Sequence, residues 1–227
     1  MTVSDRDLAR RVLAQAWWLT DAPAGLADLL IREGRVARLA SGQWAQAEGE
    51  PETGLLVIIE GSVQLLREAG PEREVLVGQA GAGAAIGQSM RFGGGPRLAT
   101  AICAEPSLVL KVSDTALERI ARHHPEIWRV VVGLLYAQLR SALQLAADAA
   151  GLPPRQRLAA RLARLSRPQA GGPILRLSQQ ALAETVGLTR KTVNGYLGQF
   201  ASRGLVRLGY GVIEVRDPEG LRRIADA

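Results

Sequence analysis

Arg190, Lys191 and Asn194 stand just after Thr189 in the run LTRKTVNGYLGQF. Basic and amide side chains in the first two turns of a helix that begins in a tight turn suit insertion into a DNA major groove. That chemistry needs those side chains on one exposed helix face, with the other face anchored. The spacing supplies both: Val193, Leu197 and Phe200 recur on one side, which leaves Arg190, Lys191, Asn194 and Tyr196 on the other. Residues 177–200 read as two short helices joined by a turn. The first runs over 179–186, with Leu182 and Val186 on one face and Ser178 as its N-cap. Gly187 lets the backbone turn, and Thr189 caps the second helix.

The flanking residues extend the pattern. Gly204 closes the second helix, and residues 205–208 and 212–215 are short apolar runs around Gly209-Tyr210-Gly211, a hairpin signal. Two helices and a small hairpin make a winged helix-turn-helix, with Arg207 and Arg203 placed to approach phosphates. Charge divides the chain in the same sense. From Leu152 onward there are 13 Lys/Arg against 5 Asp/Glu, a balance of +8; the first 151 residues hold 15 against 17, a balance of −2. A phosphate-binding surface requires such a local excess.

Other chemistries find no residues. There is no P-loop, no metal-ligand spacing and no nucleophile–histidine pair, so the chain is not expected to be an enzyme. One cysteine, Cys103, excludes an intrachain disulfide framework and an iron–sulfur cluster, which needs about four. Haem has only Cys103, His123 and His124 as cysteine or histidine ligands, and the two histidines read as the end of a helix before Pro125. Cys103, in an alternating strand, reads as a small core residue. No apolar run reaches the ~18 residues of a membrane span, and MTVSDRDLARR lacks the apolar core of a secretory signal. The expectation is a soluble, cytoplasmic protein.

The elements that position the candidate helix occupy the rest of the chain. Residues 4–18 and 23–33 read as amphipathic helices. Short apolar segments at 36–39, 55–59, 63–66, 74–77, 100–103 and 108–112 alternate with turns, which predicts an antiparallel barrel or roll. Residues 115–122 return to helical spacing. After Pro125 a long helix is predicted over 126–150. One strip, Ile127, Val131, Leu134 and Leu145, can cover the roll. A second, Trp128, Val132, Leu135, Leu139, Ala142, Ala146 and Ala149, is left over and predicts a parallel coiled coil with a second copy. Two recognition helices about 34 Å apart then meet successive faces of an approximately palindromic operator. Trp17, Trp18 and Trp44 read as core or dimer packing. The fold class is α+β, with an N-terminal antiparallel β-roll (cupin- or jelly-roll-like), a long dimerisation helix and a C-terminal winged helix-turn-helix. The domains are expected at 1–124, 125–151 and 152–227.

In this order of parts the chain resembles the Crp–Fnr superfamily of bacterial transcription regulators. The similarity is carried by GQWAQAEGEP (42–51), LLVIIEGSVQLL (55–66), RQRLAARLARL (155–165) and LSQQALAETVGLTRKTVNGYL (177–197). The resemblance places Gln179, Gln180, Thr189 and Thr192 at DNA phosphates, and Arg190, Lys191, Asn194 and Gly195 at base edges. It aligns Arg190 with an arginine that reads guanine. Lys191 stands where many members have a glutamate; lysine can only donate, so it must seek a purine acceptor or a phosphate. Gly195 replaces an arginine of some members. The implied half-site therefore differs from theirs. DNA, a second copy and RNA polymerase are the implied partners, with no membrane; a ligand-sensing module whose helix-turn-helix does not bind DNA is the alternative.

The resemblance also implies a nucleotide pocket over residues 86–101, IGQSMRFGGGPRLATA. In members that bind cyclic nucleotides, a carboxylate accepts the ribose hydroxyl and an arginine pairs with the cyclic phosphate. Here Gln88, next to Gly87, holds the carboxylate position, and Arg97 fits the arginine position, with Arg91 as competitor. Leu98 takes a hydroxyl position and Met90 a glycine position. Ala142 and Leu143 replace the two hydroxyl residues that meet adenine. The pocket is expected to be degenerate, with an effector other than cyclic AMP or none.

Overall fold

The computed structural model describes residues 4–70, 74–88, 95–167 and 172–227. Its internal contacts define two compact units, Met1–Leu65 with Ala80–Leu139, and Leu66–Gln79 with Arg140–Ala227.

In the first unit, α1 (Asp5–Leu13) starts at Ser4, whose hydroxyl accepts from the Asp7 amide at 3.2 Å. The helix expected over 4–18 ends early. Residues Trp17–Leu19 instead form a 3-10 turn that buries Trp18, whose indole Nε1 donates to the Gly83 carbonyl at 3.0 Å. Helix α2 (Leu26–Glu33) follows, and then the strands β1 (Arg35–Leu39), β2 (Trp44–Gln46), β3 (Gly54–Glu60), β4 (Ser62–Glu68), β5 (Glu74–Gly81), β6 (Ala85–Gln88), β7 (Thr100–Cys103) and β8 (Ser107–Ser113). They form two four-stranded sheets in the orders β1-β8-β3-β6 and β2-β7-β4-β5. β2 and β6 are too short and too polar to register as strands in sequence.

Period-two alternation explains why β3, GLLVIIE, is apolar throughout. Leu55, Val57 and Ile59 face a core shared with α1, α2, helix α3 (Asp114–Ala121) and the start of helix α4 (Ile127–Gly151); Leu56 and Ile58 face the roll interior with Cys103 and Val109. Both faces are buried, each such side chain contributing roughly 1.5–3 kcal/mol.

Helix α4 buries Ile127, Val131 and Leu134 in that first core. Val132, Tyr136, Leu139 and Leu143 are between 48% and 66% exposed and recur at a 4-3-4 spacing. The unburied strip therefore lies slightly round the helix from the one expected. Trp128 and Leu135, on the flank of the buried face, pack against the core, while Ala142 and Ala146 stay exposed. α4 is also long and apolar enough to cross a bilayer by length and composition, with a mean hydropathy of 1.4 over its best window. The uninterrupted apolar run still falls short of a span, because Gln, Ser and Arg punctuate the helix; it is only the average over its length that reaches that of a span.

In the second unit, α5 (Pro154–Leu165), α6 (Gln179–Thr185), α7 (Arg190–Ser202) and α8 (Pro218–Ala225) surround a small sheet of order β10-β11-β9. Its strands are β9 (Ile174–Leu175), β10 (Val206–Gly209) and β11 (Val212–Val215). Neither β9 nor α8 was foreseen from the sequence. α8 begins at Asp217, whose carboxylate accepts from the Gly220 amide at 2.8 Å, and buries Leu221 and Ile224 in the core that α5 also lines. Residues 66–79 belong here because Leu76 joins that core and Leu66 packs against it. This division differs from the expected 1–124, 125–151 and 152–227 in cutting α4 after Leu139 and in assigning residues 66–79 to the second unit. Between α4, which continues through Gly151, and α5, which Pro154 opens, only Leu152 and Pro153 intervene.

Candidate nucleic-acid interface and sensor pocket

Within α6 and α7 the caps form as hydroxyl chemistry dictates. Ser178 Oγ accepts from the Ala181 amide at 3.0 Å, and Thr189 Oγ1 from the Thr192 amide at 3.1 Å. Between the helices Gly187 takes φ +62°, a left-handed conformation that favours glycine. Leu182, Val193, Leu197 and Phe200 are fully buried with Leu158 and Leu162 of α5, which fixes the roll of α7 about its axis.

With that face fixed, Arg190, Lys191, Asn194 and Gly195 are all exposed, and among the described residues neither Arg190 nor Lys191 has an ion-pair partner. Thr192 is half-buried, with its hydroxyl oxygen 2.9 Å from that of Thr189. A Cβ on Gly195 would meet nothing within 4 Å, so no packing demands glycine there. Gln179 is half-exposed; Gln180 Nε2 donates to Glu184 at 2.7 Å, which orients its amide. Arg207 lies opposite Glu214 in the β10–β11 ladder, 3.9 Å away, and Arg216 contacts the same carboxylate at 3.1 Å. The wing arginine is thus partly compensated from within. A concavity of about 420 Å³ is lined by Ser178, Gln179, Gln180 and Arg190 together with wing residues that include Tyr210.

The residues expected to meet a nucleotide belong some to one unit and some to the other. In the first, Gly87 lies so close to Leu55 that a Cβ would sit 2.7 Å from its side chain, and its carbonyl accepts from Gln138 at 3.2 Å. Gln88 pairs with Gly54 through the β3–β6 ladder. Arg97 is held by backbone bonds to Gly49 and Glu50, and its Nη1 donates to the Gly54 carbonyl at 3.1 Å. Burial pushes its guanidinium below the ordinary arginine value, against the opposing pull of Glu50, Asp114 and Glu52. Leu98 is exposed. Ala142 and Leu143 belong to the second unit and are exposed on α4. Met90 and Arg91 lie outside the described residues. Cys103 is buried in the roll, where desolvation pushes its thiol up, so it is no ready nucleophile.

A roll of two antiparallel sheets, a long apolar helix and a capped helix-turn-helix with a wing define a DNA-binding regulator of the sensor-plus-reader kind. The family described as the cyclic nucleotide-binding domain matches residues 36–124, and that described as the Crp-like helix-turn-helix domain matches residues 156–224. The chain is 32% identical over 185 residues to the CRP-like cAMP-activated global transcriptional regulator of Mycobacterium tuberculosis, covering 79% of this chain and 83% of that protein. It is 30% identical to the cyclic AMP receptor protein of Thermus thermophilus, over 78% of this chain and 82% of the relative. The solved structure of FixK2 from Bradyrhizobium japonicum shares the fold at a TM-score of 0.72 and 20% identity, covering 86% of this chain and 98% of that one. The chain belongs to the Crp–Fnr family of transcription regulators, and it is not an enzyme.

Proposed function

We propose that this regulator binds an approximately palindromic operator as a homodimer, reading bases with Arg190, Lys191 and Asn194 while Gln179, Gln180, Thr189, Thr192 and Arg207 engage phosphates. The observation that carries the reading is α7 itself: its apolar face is fully buried while every candidate base-reading side chain is left exposed. Gly195 removes a side chain from that face, and Lys191 offers only donors, so the preferred half-site is set chiefly by Arg190, Lys191 and Asn194. Pairing of two copies through Val132, Tyr136, Leu139 and Leu143, with Ala142 and Ala146 beside them, covers the apolar strip on α4 and spaces two readers for one operator. In functional terms, 1–124 serves as sensor, 125–151 as dimerisation helix and 152–227 as reader, acting in the cytoplasm with RNA polymerase as further partner.

Two relatives are named for cyclic AMP, but the chemistry here argues for a different effector or none. Arg97 is half-buried, near carboxylates and bound to a carbonyl, so an incoming phosphate competes with internal partners. Leu98, Ala142 and Leu143 offer no hydroxyl, and Gln88 offers no charge. Selection of bound sequences from random duplexes, with and without cyclic nucleotides, tests both parts. We expect a palindromic consensus unchanged by cyclic AMP; absence of any selected consensus overturns the regulator reading. Affinity should fall steeply with salt, by a slope of about −0.9 per phosphate neutralised. Arg190→Ala should relax preference at one base pair by about 1–3 kcal/mol, and uniform weakening on all sequences would restrict it to phosphate.

A further inference from the structure

We propose that a concavity lined by α1, α2 and His124, just past α3, binds a small anion carrying two or more linked phosphate groups, with Arg6 and Arg32 as its principal holders. Most of this lining precedes residue 36, where the match to the cyclic nucleotide-binding domain begins, and His124 is the last residue of that match. The site is therefore separate from the residues expected to meet a nucleotide in the roll, and it does not depend on the DNA-binding reading.

Three helices supply a fixed frame. Leu13 of α1, Leu30 and Ile31 of α2, and Leu117 and Ile120 of α3 are buried in one core. Two ion pairs fasten the same helices at the surface: Arg10 Nε donates to Asp28 at 2.6 Å, joining α1 to α2, and Arg119 Nε to Glu33 at 3.0 Å, joining α3 to α2. Side chains carried on such a frame need little reordering to accept a ligand.

The charge of the lining departs from that of the chain around it. The first 151 residues hold 15 Lys/Arg against 17 Asp/Glu. Yet this space of about 500 Å³ is lined by Arg6, Arg10, Arg32 and His124 against a single carboxylate, Asp28, which Arg10 already engages. Among the described residues Arg6 has no hydrogen bond or ion pair. Arg32 reaches only Glu33, at 3.3 Å, and that carboxyl is held below the usual carboxylate range chiefly by Arg119. Two guanidiniums are thus left in surplus, both exposed. Each planar fork can take two phosphate oxygens, so a ligand with at least two anionic centres satisfies both. Gly25, which also lines the space, opens α2 without a side-chain cap and leaves first-turn amides as further donors.

The test is calorimetric titration of the full-length protein, at constant ionic strength, with inorganic triphosphate, with adenosine triphosphate, and with sulfate as a single-centre control. We expect one triphosphate per chain, with sulfate at least about tenfold weaker. Arg6→Ala combined with Arg32→Ala should weaken triphosphate binding at least about tenfold. Arg190→Ala combined with Lys191→Ala, on the basic reader, should leave it unchanged. Tighter binding of adenosine triphosphate identifies a nucleotide as the source of the phosphates, and equal binding a free polyphosphate. If neither triphosphate saturates the protein, if the Arg6 and Arg32 double variant binds as wild type does, or if the reader variant loses as much, the site is wrong and the DNA reading is untouched.

Discussion

Arg161 Nη2 donates a 3.0 Å hydrogen bond to the carbonyl of Leu76, joining the middle of α5 to strand β5 inside one buried cluster. The guanidinium is 5% exposed, and its Nε has no hydrogen-bond partner. Burial alone pushes its pKa down to about 10. Among the described residues one carbonyl is thus the hydrogen-bond partner of a cation held in an apolar core, and its cost is measurable.

A guanidinium held down at about 10 carries a penalty on the order of 3 kcal/mol on its charged form. The sign follows from linkage. Between the folded and unfolded values the unfolded chain holds more protons, so stability from this group rises with pH above about 10 and is depressed throughout the range below. Arg161→Met should therefore raise unfolding free energy by about 1–3 kcal/mol at neutral pH. In denaturant titrations the advantage over wild type should shrink as pH climbs past about 10. A loss of stability at pH 7 would show that the bond to Leu76 outweighs desolvation.

Asp148 and Arg164 form an ion pair between the end of α4 and α5, with only 10% and 20% of their side chains exposed, and Gln144 donates to the same carboxylate at 2.9 Å. Asp148→Asn leaves the guanidinium without its counter-charge and should cost about 3 kcal/mol. Asp148→Asn combined with Arg164→Met should recover most of that. Additive losses in the double variant, read from denaturant midpoints, would show the two side chains to be uncoupled.

Leu139 is 56% exposed on α4 and has no role in the cores of a single copy. Leu139→Asp should leave the far-ultraviolet dichroism of the chain intact and shift sedimentation from dimer to monomer, with operator affinity falling at least tenfold as two half-sites cease to be held together. A variant that remains dimeric would move the pairing surface elsewhere.

Gly195 lies inside α7 with open space where a Cβ would stand. Gly195→Ala should stabilise the chain by about 0.5–1 kcal/mol through the unfolded-state entropy of glycine. Its thermal midpoint should rise with no change in the selected consensus. Altered sequence preference would mean that the bare backbone at Gly195 makes close approach to a base.

The sequence determined the parts that depend on local chemistry. Hydroxyl caps at Ser178 and Thr189, the glycine at 187 and the 3.6-residue recurrence of Val193, Leu197 and Phe200 define the helix-turn-helix by themselves, because each acts within a few residues of the chain. The alternation of β3 and the two apolar sides of α4 were legible for the same reason. What required the tertiary structure depends on partners distant in sequence. Helix α1 ends early for the sake of Trp18 and Gly83; β9 exists only as an edge for β11; α8 gains its helical form by burying Leu221 and Ile224 beside α5. Arg97 is turned inward to Gly54 and Arg161 reaches Leu76, neither of which spacing could reveal. Periodicity dictates which face of an element is apolar, whereas long-range packing decides what each polar side chain finds there.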